Sequence, residues 1–324
     1  MLASRLGEGI SIVARLLKES RMPAIRLCLA ALLLCFGLTA CVDQPGAPAS
    51  GIAARSVGPI TEEKGPWREQ DHWIPVEGTR QVILMRLCRP AGSNPARLVV
   101  ANHGSPPSSA QRPNMAPWSC EQRAISWFLT RGYAVALPLR RGYGASVGTW
   151  AETYGSCRDP NFVAGGTETA RDIRSAIAYA TSQPGIRRDG VVVVGQSAGG
   201  WGSLALAAGN PPEVAAIVNM AGGRGGRVDN LPNNNCRADV LATSAGRFGQ
   251  TARIPSLWVY TANDSFFSPS LAGAMHQNYV QAGGVADFRA LPAFGQDGHG
   301  LFTAVGGPQI WGPLVEAFLA NTLR

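Results

Sequence analysis

The sequence predicts an α/β fold in which a mostly parallel central sheet is covered by helices on both faces. Strand and helix patterns alternate from about residue 80 to the C-terminus, which is typical of consecutive strand–helix units. Residues 191–194 are four valines in a row, as expected of a strand that is buried on both sides. The chain has 324 residues, of which 45% are hydrophobic, so it can bury one large core.

The first half of the predicted fold contains three strands and two helices. In chain order they are strand 81–88, strand 98–102, helix 120–130, strand 134–139 and helix 167–181. Strand 81–88 is expected to be an outer strand of the sheet. We expect Thr167 to cap the second helix, since threonine is a favoured N-cap residue. Apolar Ala170, Ile173 and Ile177 share one face of this helix.

The second half repeats the alternation of strands and helices. In chain order it is predicted to contain strand 191–194, helix 199–208, strand 214–219, strand 256–260, helix 271–282, strand 288–291 and helix 310–323. Right-handed crossovers then determine the topology of the parallel strands. Functional side chains are expected in the loops at the carboxyl ends of these strands.

The N-terminal segment, residues 1–40, is predicted to be a signal peptide. Residues 27–40 (LCLAALLLCFGLTA) form an apolar run that is short for a membrane span, and Arg21 and Arg26 precede it. Residues 38–41 (LTAC) resemble the bacterial lipobox, which implies cleavage before Cys41 and an acyl anchor on its thiol. We therefore expect an exported, lipid-anchored protein of the bacterial cell envelope, in the periplasm or at the outer membrane. An ordinary secretion signal, cut a few residues later, is the alternative.

An even number of cysteines follows Cys41, which suggests two disulfides in an exported protein. They are Cys88, Cys120, Cys157 and Cys236, and four cysteines allow three pairings. Because Cys157 and Cys236 both lie in polar loops after predicted strands, we favour Cys157–Cys236 together with Cys88–Cys120. A zinc site is disfavoured because neither a CxxC pair nor a neighbouring pair of histidines occurs, and we expect no metal or cofactor.

The charge pattern argues against a nucleic-acid-binding protein. The formal net charge is +8, but the basic residues are dispersed along the chain and form no concentrated stripe. A solvated basic surface explains this distribution, so no nucleic-acid partner is expected.

The motif with the clearest chemical meaning is GQSAG at residues 195–199, an instance of G-x-S-x-G. It directly follows the valine strand and directly precedes a predicted helix, which is the context of a nucleophile elbow. Such a turn requires small neighbours and projects the serine hydroxyl above the sheet. Ser197 is therefore the predicted nucleophile.

A serine nucleophile needs a base, and the sequence offers four histidines: His72, His103, His276 and His299. His299 lies in the polar loop 295–300, after the last predicted strand and last in chain order, so we predict that it is the base. Asp264 directly follows strand 256–260 and is the predicted acid that orients the imidazole. Asp297 is the rival acid, although it lies only two residues from His299.

An oxyanion hole requires two backbone N–H donors near the nucleophile. Ala198, which follows the nucleophile, is predicted to supply one of them. The second is expected from the loop 102–106, where Pro106 has no N–H and Ser105 is favoured over Gly104.

Together these motifs resemble the α/β-hydrolase superfamily over residues 80–324. The segments HGSP (103–106), RRGYG (140–144) and GQSAGGW (195–201) resemble the dienelactone-hydrolase and prolyl-oligopeptidase-like branch. The resemblance implies the α/β-hydrolase fold with an order of serine, acid and histidine that this chain matches. True dienelactone hydrolases carry cysteine at the elbow, where this chain has Ser197, so their particular substrate is not transferred.

Residues near the carboxyl ends of the strands are candidates for the substrate pocket. We name His103, Tyr143 and Trp201 as pocket candidates. The glycine-rich loop 221–236 contains Arg224 and Arg227, which could receive an acidic substrate or could simply be solvated.

The domain organisation and function follow from these assignments. Residues 41–79 are expected to form a tether and N-terminal extension, and residues 80–324 the catalytic domain. The expected activity is hydrolysis of small or medium carboxylic esters through an acyl-enzyme, on a membrane-anchored protein. The alternatives are a serine peptidase or an acyltransferase with the same triad, or a non-catalytic binding lipoprotein of the envelope.

Overall fold

The computed structural model describes residues 55–92, 94–146 and 148–323. The predicted signal peptide, its cleavage site and Cys41 lie outside the described residues. Within them, no helix has both the length and the apolar character needed to cross a membrane.

A nine-stranded sheet forms the centre of the part of the chain that the structure describes. The strands are β1 (Gly58–Pro59), β2 (Gln70–Pro75), β3 (Val82–Cys88), β4 (Leu98–Asn102), β5 (Ala134–Leu139), β6 (Val191–Gln196), β7 (Val214–Met220), β8 (Ser256–Thr261) and β9 (Ala286–Leu291). Their order across the sheet is β1-β2-β3-β5-β4-β6-β7-β8-β9. The pairs β1–β2, β2–β3 and β3–β5 are antiparallel and every other pair is parallel, so the predicted fold class is confirmed.

Helices cover both faces of this sheet. They are α1 (Arg123–Leu129), α2 (Phe162–Thr181), α3 (Ala198–Ala208), α4 (Ala238–Gly249), α5 (Pro269–Gln281) and α6 (Gly307–Thr322). The valines of β6 alternate between two cores, because successive side chains of a strand point to opposite faces. Val191 and Val193 pack with the apolar residues of α2 to α5, whereas Val192 and Val194 pack with those of α1 and α6.

Helix α2 begins five residues earlier than the sequence pattern predicted. Its N-cap is Asn161, whose side chain accepts a hydrogen bond from the Ala164 N–H at 2.9 Å. Thr167 is therefore not a cap, and its hydroxyl donates to the Val163 carbonyl inside the helix. The glycines at 165 and 166 made the first turns look unfavourable for a helix, but close packing requires them. A Cβ at Gly166 would come within 2.8 Å of the Phe248 ring.

The described fold contains three elements that the sequence pattern did not reveal. Strands β1 and β2 extend the sheet on the N-terminal side of β3, within the segment predicted as an N-terminal extension. Strand β3 pairs with β2 on one side and β5 on the other, so it is not the outer strand that was predicted. Strand β2 (QDHWIP) escaped notice because its polar residues and terminal proline weaken the strand pattern. Helix α4 lies between the predicted strands 214–219 and 256–260, where the sequence pattern predicted no helix.

Both predicted disulfides are present in the structure. Cys88 is bonded to Cys120, and Cys157 is bonded to Cys236. The second bond connects the loop after β5 to the loop after β7. Disulfides persist in oxidising compartments, so the pair indicates an exported protein.

Replacing both Cys157 and Cys236 with alanine is expected to lower the free energy of unfolding by about 2–4 kcal/mol, because the crosslink restricts the unfolded chain. The closed loop spans 79 residues, which makes the entropic effect large. Urea denaturation measured without reductant checks this expectation. An unchanged denaturation midpoint in the variant would contradict it, and wild type in dithiothreitol is the control.

Candidate active site

Ser197 lies in a strained turn between β6 and α3. Its φ is 54° and its ψ is −118°, a backbone conformation that non-glycine residues adopt only when the surroundings impose it. The small neighbours are required by close approach, since a Cβ at Gly195 would clash with the Gly199 carbonyl. A Cβ at Gly199 would clash with the Asn102 carbonyl of β4. The predicted nucleophile elbow therefore has the expected geometry.

His299 and Asp264 are brought together by the loops after β9 and β8. The His299 Nδ1 lies 3.0 Å from Asp264 Oδ1 and 3.1 Å from Oδ2. The buried Asp264 also accepts hydrogen bonds from the N–H groups of Phe266 (2.8 Å) and Phe267 (3.0 Å). Because Nδ1 is occupied by this carboxyl group, Nε2 is the nitrogen of His299 that remains for chemistry.

Asp297, the rival acid, bonds to the loops around the histidine instead of its ring. Its Oδ1 accepts from the backbone N–H of His299 at 3.1 Å and from that of Ser265 at 3.0 Å. Its Oδ2 accepts from the Ser265 hydroxyl at 2.6 Å. Asp297 therefore joins the loops that carry Asp264 and His299, and it does not orient the imidazole.

The imidazole of His299 is further held by the elbow and by an aromatic ring. The Gln196 side chain donates to the His299 carbonyl at 3.1 Å, and the Phe266 ring stacks on the imidazole at 4.1 Å between centroids. Ser197 and His299 line the same cavity. Among the described residues, the hydrogen bonds of the His299 ring are to Asp264, and none joins it to the Ser197 hydroxyl.

Two cavities meet at Ser197. The histidine-side cavity has a volume of about 460 Å³, and its lining includes Trp118, Ser197 and His299. The arginine-side cavity has a volume of about 140 Å³, and its lining includes Arg112, Trp150, Ser197, Ala198 and Arg224. Ser197, the predicted nucleophile, thus borders two cavities of different chemistry.

The predicted oxyanion donors lie beside the nucleophile. A Cβ at Gly104 would come within 3.0 Å of the Ser197 Cβ, so the loop that contains Ser105 lies directly against the elbow. Within the described part of the chain, the N–H groups of Ser105 and Ala198 form no hydrogen bond. Both donors therefore remain available for a bound oxygen, although their role is still a prediction.

A buried ionic network that the sequence did not predict supports this loop. Glu152 is fully buried and pairs with Arg140, and its Oε2 lies 2.5 Å from a guanidinium nitrogen of Arg224. Arg140 also donates to the His103 carbonyl at 2.8 Å. Burial by itself raises the pKa of Glu152, but the two neighbouring guanidinium charges hold that pKa well below its usual 4.5.

His103 is a neutral structural residue at the wall of the histidine-side cavity. Its Nδ1 donates to the Gly104 carbonyl at 2.8 Å, and its Nε2 accepts from the Arg140 N–H at 3.3 Å. Burial and the adjacent Arg140 charge lower the pKa of His103 to about 3, so it does not act as a base at neutral pH.

Tyr143 and Trp201 do not line either cavity at Ser197, which corrects their assignment as pocket residues. The Tyr143 hydroxyl is buried, donates to Glu152 at 3.0 Å and bonds to the Ser105 hydroxyl. Tyr143 therefore connects Glu152 to Ser105, which lines both cavities. Trp201 is fully buried between α2 and α3, where its indole N–H donates to the Phe162 carbonyl at 2.8 Å.

The two arginines of the glycine-rich loop have different environments. Arg227 donates to the Asn230 carbonyl of its own loop at 3.0 Å and to the Ser265 hydroxyl of the loop after β8 at 2.7 Å. Arg224 is buried and lines the arginine-side cavity. The sequence indicated both arginines equally, and only the fold separates them.

Comparison with known proteins places the chain among hydrolases. Residues 64–255 match the profile of a family described as X-Pro dipeptidyl-peptidase (S15 family). No curated protein sequence matches the chain.

Three solved structures illustrate the likeness in fold. An esterase of Pyrococcus furiosus is 13% identical with a TM-score of 0.54, and the match covers 83% of this chain and 98% of the esterase. An acylaminoacyl peptidase of Pyrococcus horikoshii is 12% identical with a TM-score of 0.56; the match covers 80% of this chain but 42% of the peptidase. A Klebsiella pneumoniae protein assigned as a dienelactone hydrolase is 14% identical with a TM-score of 0.54. The match covers 78% of this chain and 98% of the Klebsiella protein. Such low identities establish the α/β-hydrolase fold alone.

Replacing Glu152 with glutamine is expected to lower the free energy of unfolding by about 3–5 kcal/mol at pH 7, because it leaves two buried guanidinium groups without a counter-charge. Since the folded-state pKa of Glu152 is lowered, its contribution is complete above the ordinary value of 4.5 and declines as the pH falls below it. The difference in the free energy of unfolding between wild type and Glu152→Gln should therefore become smaller at acidic pH. Chemical denaturation at several pH values checks this.

The matched control is Glu168→Gln, whose carboxylate is 32% exposed and pairs with Arg141. We expect it to cost less than about 1 kcal/mol. Equal losses in the two variants would contradict a special contribution from Glu152.

Proposed function

This chain belongs to the X-Pro dipeptidyl-peptidase (S15) family. Within this family, we propose that it is a serine hydrolase that cleaves carboxylic esters through an acyl-enzyme. The observation that carries the proposal is the pair of Asp264 and His299, 3.0 Å apart, on the wall of a cavity that also contains the strained Ser197. These are the three groups that nucleophilic acyl transfer requires: a nucleophile, a base, and an acid that orients the base.

In the first half of the reaction, the Ser197 Oγ attacks the carbonyl carbon of the ester. Its proton passes to Nε2 of His299, while Asp264 accepts the hydrogen bond of Nδ1 and stabilises the imidazolium. His299 then returns the proton to the leaving alkoxide, the carbon–oxygen bond breaks, and an alcohol leaves the acyl-enzyme. In the second half, water replaces the alcohol and the same proton transfers release the acid and restore Ser197.

The negative oxygen of each tetrahedral intermediate needs hydrogen-bond donors that are already in place. We assign this role to the N–H groups of Ala198 and Ser105. The positive end of α3, which begins at Ala198, adds to the stabilisation. The buried Arg140 contributes indirectly, since it fixes the His103 carbonyl and with it the loop that contains Ser105.

The charge of the arginine-side cavity supports an esterase over a dipeptidyl peptidase. An enzyme that removes an N-terminal dipeptide must accept the protonated amine of its substrate on the acyl side of the scissile bond. Here that side would present Arg112 and Arg224, and Glu152, the carboxylate that contacts Arg224, is already bound by Arg140 and Arg224. An ammonium group would meet like charge, which disfavours its binding.

Ser197→Ala and His299→Ala are each expected to reduce kcat/KM for short-chain p-nitrophenyl esters by about 10⁴-fold or more, because each removes a group that acts directly in acyl transfer. Asp264→Asn should lose about 10⁴-fold, since it no longer stabilises the imidazolium. Ester hydrolysis and labelling of Ser197 by a fluorophosphonate provide the measurements.

His276→Ala is the control, because this histidine lies on α5 and bonds to the Ala286 carbonyl at 3.3 Å, away from Ser197. Near-wild-type activity of Asp264→Asn would show that another acid orients the base. Faster turnover of glycyl-proline p-nitroanilide than of the esters would replace the ester proposal with the peptidase of the family description.

We further propose that the mature protein is held at a membrane of the bacterial envelope by an acyl group on Cys41. The lipobox-like residues 38–41 and the two disulfides support this proposal. Cys41→Ala expressed in a bacterial host should shift the protein from the membrane fraction to the soluble envelope fraction, whereas Cys35→Ala should not. Membrane association that survives Cys41→Ala would exclude this anchor.

A further inference from the structure

The arginine-side cavity contains a guanidinium group whose hydrogen-bonding capacity the protein does not fill. The side chain of Arg224 is 3% exposed and lines the cavity beside Ser197. Its Nη2 donates to Glu152 at 2.5 Å and to Thr169 at 2.8 Å. Its Nε is buried and has no hydrogen-bond partner within the described residues. Unfilled donors on a buried cation are costly, so they indicate a missing acceptor.

The charge around Arg224 is also incompletely neutralised. The carboxyl group of Glu152 is shared between Arg140 and Arg224, so two buried guanidinium charges face one carboxylate. Neighbouring Arg141 has its own partner, Asp172, at 2.6 Å. An uncompensated positive charge therefore remains beside the cavity, and one bound anion would balance it.

A second guanidinium group faces the same cavity. The Cζ of Arg112 lies 3.5 Å from the centroid of the Trp150 ring, and the Cζ of Arg224 lies 5.9 Å from a centroid of that ring. Arg112 pairs with no carboxylate of the described chain, and its buried Nε has no hydrogen-bond partner. Two arginines beside one indole ring thus provide planar donors suited to a carboxylate.

The cavity lies on the acyl side of the scissile bond. The leaving group must lie within reach of His299, which protonates it, and His299 lines the other cavity. The arginine-side cavity contains Ala198 and Ser197 but not His299. The acyl chain of a bound ester therefore extends toward Arg224.

We propose that this cavity binds a carboxylate at the far end of the acyl group, so that the preferred substrates are half-esters of short dicarboxylic acids. The proposal rests on the esterase function and specifies its substrate class. A volume of about 140 Å³ holds only a few heavy atoms, which suits an acyl group of the size of succinyl. A neutral acyl group leaves the Arg224 charge uncompensated, and a cationic one is repelled.

The kinetic test compares two methyl esters of nearly equal shape. Monomethyl succinate carries the terminal carboxylate, and methyl 4-methylpentanoate replaces it with an isopropyl group of similar size. We expect wild type to hydrolyse the half-ester with a kcat/KM about tenfold or more above that of the neutral ester, since charge-assisted bidentate hydrogen bonds form only with the carboxylate. Equal values for the two esters would overturn the proposal.

Variants then identify the residues responsible. Arg224→Met leaves Glu152 paired one to one with Arg140, so the buried charges balance, and it should bring the ratio of the two kcat/KM values to about one. Arg112→Met should reduce the ratio less and serves as the second variant, because Arg112 lies outside the Glu152 network. Arg227→Met is the matched control from the same loop, and its ratio should equal that of wild type. An unchanged ratio in both Arg224→Met and Arg112→Met would refute the assignment.

A binding measurement separates this proposal from the esterase function. Ser197→Ala, studied by calorimetry, should bind monomethyl succinate about tenfold or more tightly than methyl 4-methylpentanoate, and adding Arg224→Met should abolish the difference. Binding of the half-ester without turnover by wild type would contradict the esterase function and support the carboxylate site. Turnover of both esters with equal binding would contradict the carboxylate site and leave the esterase function standing.

Discussion

The buried carboxyl group of Glu152 is the interaction on which the rest of the site depends. It pairs with Arg140 and Arg224 and accepts a hydrogen bond from Tyr143, all in the water-excluded interior where such bonds are strong. Arg140 in turn donates to the His103 carbonyl and so holds the loop after β4. Arg224, in the loop after β7, lines the arginine-side cavity. One carboxylate from the loop after β5 therefore fixes the surroundings of the nucleophile on two sides.

The network also shapes the cavity wall beside Ser197. The family match and the fold specify a parallel sheet with a nucleophile elbow, and the substrate is selected by side chains that the loops bring to that elbow. Here the loops supply an excess of guanidinium groups on the proposed acyl side and a larger cavity with Trp118 on the histidine side. In our proposal the charge of this wall favours anionic acyl groups over cationic ones, which family membership alone does not do.

The parts of the molecule that were predicted correctly are those with a local cause. Strands β4 and β5 have the bounds that were expected, because continuous apolar runs between turn residues allow little else. Helix α4 and strand β2 were missed, and the start of α2 was placed late, because in each case tertiary packing outweighs a weak local pattern. The glycines of α2 show this well, since Gly166 allows close packing against Trp201 and Phe248 and Gly165 against the Glu152 carbonyl.

The sequence by itself determined the fold class, the elbow at Ser197 and the chain order that selects His299 and Asp264. Each of these follows from short motifs or from their order along the chain, which the local physics of strands and turns constrains. Only the tertiary structure decided that Trp201 belongs to the core, that Asp297 holds a loop, and that Arg224 and not Arg227 faces the nucleophile. These roles depend on burial and on partners far apart in the chain, such as Glu152 and Arg224, and no local pattern encodes which distant charges meet in the interior.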